Sequence, residues 1–148
     1  PLGAAKGPGG AVGSGPRARA GEFARARAWR KMLGGGMREI GMLGAAGLFA
    51  LDNMVDRLAE DHANARTLAE GLAEMDGVRL DLDRVQTNLV IFELDRMAPD
   101  AFVAECDRHG VKGAMVSRRQ IRFVTHYGIG AADIQQTLKV AGEVLAGT

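Results

Sequence analysis

Asn88-Leu-Val-Ile-Phe-Glu-Leu94, "NLVIFEL", is the stretch on which the fold class turns. It is apolar, β-branched or aromatic at most positions, and too short for a buried helix, so it reads as a strand. Just before it, "VRLDL" (78–82) alternates apolar and polar residues and predicts a second strand. Beyond it, "APDAFVAECDRHG" (98–110) starts with Pro99 and stops at Gly110, the punctuation of a short helix. "GAMVS" (113–117) and "IRFVTH" (121–126) are further strand candidates, the second followed closely by Gly128. Asp133 is expected to cap a last helix reaching about Leu145. The outcome is a small βαββα-type unit, of the α/β or α+β class.

Upstream of Gly77 the texture is helical. "EFARARAWRKML" (22–33) sets Arg against Ala on a helix-favouring background and predicts a basic helix, broken by Gly34-Gly35-Gly36. "MREIGMLGAAGLFALDN" (37–53) reads as a buried helix. Its Gly41, Gly44 and Gly47 form a small-residue stripe that would admit another backbone closely. From Val55 the pattern Leu58, His62, Ala65, Leu68, Leu72 and Met75 predicts a long amphipathic helix, ended by Asp76-Gly77. Residues 1–21 have no period and read as loop, or as a weakly marked strand, and no internal repeat is present.

Composition bounds the function. The 148 residues are 47% hydrophobic and 25% charged with net charge +1, the balance of a water-soluble globular chain. The single cysteine, Cys106, excludes an internal disulfide framework and suits a reducing compartment. The longest apolar stretch, Ile40 to Leu51, is too short and too rich in glycine to span a membrane, and no signal-peptide h-region is visible. A cytoplasmic protein without membrane attachment is the expectation. The chain starts at Pro1 and has no methionine before Met32, which suggests a piece of something longer. Residues 1–50 hold eight Lys or Arg against Glu22 and Glu39, whereas the remainder is acidic. Such a basic half suits an anionic ligand, a solvated face, or an interface with a missing part of the protein. As a nucleic-acid surface, "RARAGEFARARAWRK" (17–31) is too poor in interleaved aromatics, so no nucleic-acid partner is expected.

One lysine stands in unusual company. In "AAKGPGGAVGS" (4–14), Lys6 is surrounded by small residues and closely followed by glycines. Glycine follows the lysine directly, so this is not a Walker loop, and the spacing fails the dinucleotide pattern GxGxxG. His62, His109, His126 and Cys106 are scattered without metal-ligand spacing, and no GxSxG elbow occurs. A lysine amine attacks carbonyls once desolvation or nearby positive charge lowers its pKa, and small neighbours would let a flat cofactor lie over it. A solvated lysine in a tail is the alternative that local sequence leaves open.

The wider sequence bears on that choice. "AKGPGGAVGS", "WRKMLGGGMR", "DHANARTLAEGLA", "VQTNLVIFEL" and "IRFVTHYGI" together resemble, in order, the low-specificity threonine aldolases. The most specific of these blocks is "WRKMLGGGMR" (29–38). The resemblance implies the C-terminal portion of a pyridoxal-phosphate-dependent enzyme of the aspartate-aminotransferase-like fold. Residues 1–54 would end the large cofactor-binding domain, and residues 55–148 would form the small α+β domain. It further implies that Lys6 carries the pyridoxal 5'-phosphate. In "WRKMLGGGMR" the glycines allow close approach and a guanidinium pairs well with phosphate, so Arg38 and Lys31 are expected to help hold that phosphate. The alternative is that Arg38 starts a helix and faces water. Arg122, in the segment matching the family's R-x-V-T-H, would grip the substrate α-carboxylate. The implied reaction cleaves L-threonine or related β-hydroxy-α-amino acids to glycine and an aldehyde, in a dimer or tetramer. Another lyase or hydroxymethyltransferase of the same fold type, or a non-catalytic remnant that only self-associates, are the alternatives. The sequence departs from the family at Ala5, Pro8 and Ala11. It also departs at "GPRARAG" (15–21), where Arg17 and Arg19 replace an apolar strand. The segments that supply the family's ring-stacking histidine and its pyridinium-pairing aspartate lie upstream of the lysine, so the isolated chain is expected to be catalytically incomplete.

Overall fold

Helix-favouring Ala and Arg residues with an acidic first turn produce the first long element. The computed structural model describes residues 2–3, 14–15 and 19–147. The chain divides into two units, Pro1–Asp56 and Arg57–Thr148.

In the first unit, β1 (Leu2–Gly3) pairs antiparallel with β2 (Ser14–Gly15). Helix α1 (Ala20–Met32) follows, and the Glu22 carboxylate accepts the Arg19 amide at 3.1 Å, satisfying one donor at the helix start. Gly34 ends the turn beyond it with φ +82°, a conformation that favours glycine. Helix α2 (Gly41–Asn53) forms within the predicted 37–53 but starts four residues later, after a turn at 38–40, and it is not buried as expected. Met42, Leu48, Phe49 and Leu51 are exposed, and only Ala50 is buried. A Cβ added to Gly41, Gly44 or Gly47 would meet nothing within 4 Å, so the glycine stripe has no close backbone partner among the described residues. Apolar composition on every side sets a helix's preference for cover, whereas burial depends on what neighbours are present.

The second unit holds the core. It is built from α3 (Leu58–Ala73), β3 (Val78–Arg79), a 3₁₀ turn (Leu82–Arg84), β4 (Leu89–Leu94), α4 (Pro99–Arg108), β5 (Ala114–Met115), β6 (Gln120–Val124) and α5 (Ala131–Ala146). The four strands form one antiparallel sheet in the order β3-β4-β6-β5. Alternation sends Val90, Phe92, Ile121 and Phe123 to one face, where they join Leu68 and Leu72 of α3, Phe102 of α4 and Ile134 of α5 in a single core. Phe92 meets Phe102 edge-on, with ring centroids 5.9 Å apart, and Phe123 at 5.4 Å. Each such burial contributes about 1.5–3 kcal/mol.

Three sequence expectations need correction here. The strand in "VRLDL" is only Val78–Arg79, because Asp81 accepts the Asp83 amide at 3.1 Å and turns the chain into the 3₁₀ segment. Helix α3 starts at Leu58, not Val55, and its buried polar position is Asp61 while His62 is exposed. Asp133 is not the first cap of α5. It lies inside the first turn, and its carboxylate reaches back to the Gly130 amide at 2.8 Å.

Candidate functional site

Arg122 occupies the middle of β6, paired in register with Ile91 of β4 on one side and Ala114 of β5 on the other. The alternation that buries Ile121 and Phe123 turns Arg122 to the opposite face, with Gln120 and Val124. On the same face of β4, Leu89 and Ile91 remain 39% and 42% exposed. Arg122 is half-buried, and its Nε is shielded from solvent with no hydrogen-bond partner among the described residues. A buried guanidinium nitrogen without an acceptor is costly, and a planar anion is the natural complement of the fork. A cleft of about 600 Å³ is lined by residues that include Ile91 and Gln120, strand neighbours of Arg122, and Glu93, Arg79 and Arg84, with Arg122 itself outside the lining. Gln120 donates to the Glu93 carboxylate at 3.1 Å, and Arg79 pairs with Asp95 at 2.7 Å.

Behind β6 lies a polar network that sequence reasoning missed. Thr125, 1% exposed, donates its hydroxyl to the Asp61 carbonyl at 2.6 Å. Its own carbonyl accepts the Asn88 side-chain amide at 2.7 Å, and its amide donates to the Asn88 carbonyl at 3.1 Å. The Asp61 carboxylate is fully buried and held by both ends of the Arg57 guanidinium, at 2.6 and 3.1 Å. That hydrogen bond is the main reason the Arg57 pKa is raised above its ordinary value, against the opposing effect of burial. The same guanidinium stacks 5.1 Å from the Tyr127 ring centroid. Arg57 and Asp61, four residues apart at the start of a helix, were the available signal.

In the first unit, Lys31 sits in the last turn of α1, exposed. A Cβ at Gly36 would lie 2.7 Å from Lys31 Cδ and 3.3 Å from its Nζ, so a side chain there would displace the lysine from the glycine backbone. Gly35 plays the same part for Arg30, whose Cγ would be 2.9 Å from an added Cβ. Arg38 is exposed in the turn before α2. Lysine and arginine are the side chains that pair with phosphate, and here Arg30 and Lys31 both lie at the C-terminal end of α1. Lys6 lies outside the described residues. Lys31 and Arg38 belong to the first unit and Arg122 to the second. Among the described residues, no group of three or more His, Cys, Asp and Glu gathers as a metal site, and no helix is long and apolar enough to cross a membrane.

Comparison with known proteins supplies the family. The beta-eliminating lyase family matches residues 2–95. Low-specificity L-threonine aldolase 1 of Arabidopsis thaliana is 36% identical over 117 residues, covering 77% of this chain and 33% of the relative. The low specificity L-threonine aldolase of Escherichia coli (strain K12) is 37% identical over 113 residues, covering 76% and 32%. The chain thus spans about a third of the length of the curated relatives it matches. Among solved structures, a NifS-like protein from Rickettsia africae superposes with a TM-score of 0.64 at 15% identity, covering 75% of this chain and 36% of that one. An aminotransferase from Streptoalloteichus hindustanus gives a TM-score of 0.60 at 16% identity, covering 71% and 36%. These likenesses make the fold a mixed α/β part of the pyridoxal-phosphate-dependent aminotransferase fold.

Proposed function

Because the chain belongs to the beta-eliminating lyase family, whose members depend on pyridoxal phosphate, we propose that it is part of an aldolase. The enzyme would cleave L-threonine and related β-hydroxy-α-amino acids to glycine and an aldehyde, as a cytoplasmic homo-oligomer. The observation that carries this reading is Arg122, a half-buried arginine on the sheet face away from the core, whose shielded Nε has no hydrogen-bond partner among the described residues. A substrate α-carboxylate would accept from that fork and complete it. Held there, the carboxylate fixes one of the substituents on the α-carbon, which leaves the amine and the β-carbon to be oriented by the rest of the site.

Lys6 would carry the cofactor through its amine, and Lys31 and Arg38 would hold the phosphate against the Gly34–Gly36 turn. The Lys31 side chain folded over Gly36 supports that assignment. When bound, pyridoxal phosphate supplies an electron sink for bond cleavage at the α-carbon. This chain's residues then have positional work: Arg122 orients the substrate, and the basic groups of the first unit neutralise the phosphate charge.

Arg122→Lys tests the reading. An ammonium keeps the charge but cannot form two parallel hydrogen bonds, so in the complete enzyme, with the upstream segments joined to this chain, kcat/KM for L-threonine is expected to fall by about 10- to 100-fold. Retention of near-wild-type kcat/KM in that variant overturns the carboxylate assignment. A complete wild-type enzyme, upstream segments included, that leaves L-threonine uncleaved overturns the activity.

A further inference from the structure

We propose that Thr125 is a positioning residue for Arg122, fastened by Asp61 and Asn88 and braced by Arg57. The inference rests on the reading of Arg122 as the carboxylate grip. Strand β6 is asymmetrically supported around that residue. On one side β4 pairs with it from Gln120 to Val124. On the other, pairing with β5 stops at Arg122, opposite Ala114, and leaves the following residues without a second strand. Thr125 takes over at the point where that support ends. Its three hydrogen bonds, to the Asp61 carbonyl and to both the backbone and side chain of Asn88, tie the strand end to α3 and to the residue preceding β4. Thr125 lies on the buried side with Ile121 and Phe123, so the tie is made behind the sheet while Arg122 faces the other way.

The brace continues outward. Asp61 can offer its carbonyl from a fixed place because its carboxylate is gripped twice by Arg57, which is itself stacked on Tyr127. A twist of β6 about Arg122 would have to break this chain of contacts at its buried end. A guanidinium reads carboxylate geometry through the direction of its fork, so small rotations of the strand matter to it more than to a point charge.

The test follows the Arg122 side-chain Nε–H resonance in nitrogen-15-labelled chain by NMR, with glycine as the carboxylate probe. Thr125→Val removes one buried hydroxyl with little change in shape. It is expected to shift or broaden the Arg122 resonance and to weaken glycine binding, read from that resonance, by about fivefold. Thr125→Ser restores the hydroxyl and should restore both. Asn88→Ala, which deletes only the donor to the Thr125 carbonyl, is expected to act in the same direction and serves if the valine variant fails to fold. Val140→Ala, a buried truncation in α5 outside the network, should lower the melting temperature and leave the Arg122 resonance in place. The inference is overturned if the Thr125 and Asn88 variants leave that resonance unmoved, or if Val140→Ala moves it as far. Glycine leaving the wild-type resonance unchanged would sink the carboxylate reading alone, because the comparison among variants needs no ligand.

Discussion

Cys106 is fully buried in α4, and that burial, helped by the neighbouring Glu105 charge, pushes its thiol up from 9.0 to about 11. The thiolate is the reactive form, so the native chain should resist iodoacetamide at pH 8 and react once denaturant opens the core. Rapid native labelling at that pH would contradict the burial. The sign of the stability effect follows from the same shift. Below pH 9 the thiol is neutral whether the chain is folded or not, and its contribution is intact. Between pH 9 and about 11 the unfolded chain loses the proton and the folded one keeps it, so stability falls as pH rises through that window. A flat unfolding midpoint across this range, compared with Cys106→Ala, would show that the thiol does not titrate this way. At this scale the sequence was legible where a residue contradicts its neighbours. Arg122 stands out as a charge inside Ile121-Arg-Phe-Val124. Asp61 does not, because a carboxylate near a helix start looks ordinary until a strand 64 residues away presses on its carbonyl.

Among the elements, β6 is closely approached by Gly113, the residue just before β5. A Cβ there would lie 2.7 Å from Phe123 Cε1, and that ring is buried against Phe92 and has little room to yield. Gly113→Ala is therefore expected to destabilise the chain by about 1–3 kcal/mol, measured by urea denaturation, whereas Gly128→Ala tests only backbone strain at φ +90°. Gly113→Ala with wild-type stability would mean that the ring relocates freely. Strand β4 was readable from "NLVIFEL" because its residues favour strands and its flanks do not. The end of β3 was not, since a single Asx turn at Asp81 outweighed the alternation of "VRLDL". Helix α3 was readable in its central turns, where Ala65, Leu68 and Leu72 are buried as the 3.6-residue period requires. Its first turn defeated the pattern because an ion pair, rather than an apolar side chain, fills the inner position.

Across the whole chain, stability is unevenly distributed. The connected core lies entirely within residues 65–144, while in the first unit Ala50 is the one buried residue among those described. Local opening is easiest where few apolar contacts are lost. Amides of α1 and α2 should therefore exchange with deuterium about a hundredfold faster than those of β4, β6 and the central turns of α3. Equal protection in both units, by mass spectrometry of the intact chain, would refute this. The apolar character of α2 was plain in the sequence, but composition alone carried no information on what would cover Met42, Phe49 and Leu51.

Strand β6 also separates two kinds of change at single-residue spacing. Ile121 and Phe123 hold the core together, whereas Gln120, Arg122 and Val124 look the other way. A combinatorial library randomised at the second set, with the first held constant, would sample new ligand preferences while leaving the fold nearly untouched. The same library shifted by one position would yield mostly insoluble protein. The strand thus gives selection an independent handle on recognition, and that handle is set by the pleat of the backbone rather than by any one side chain.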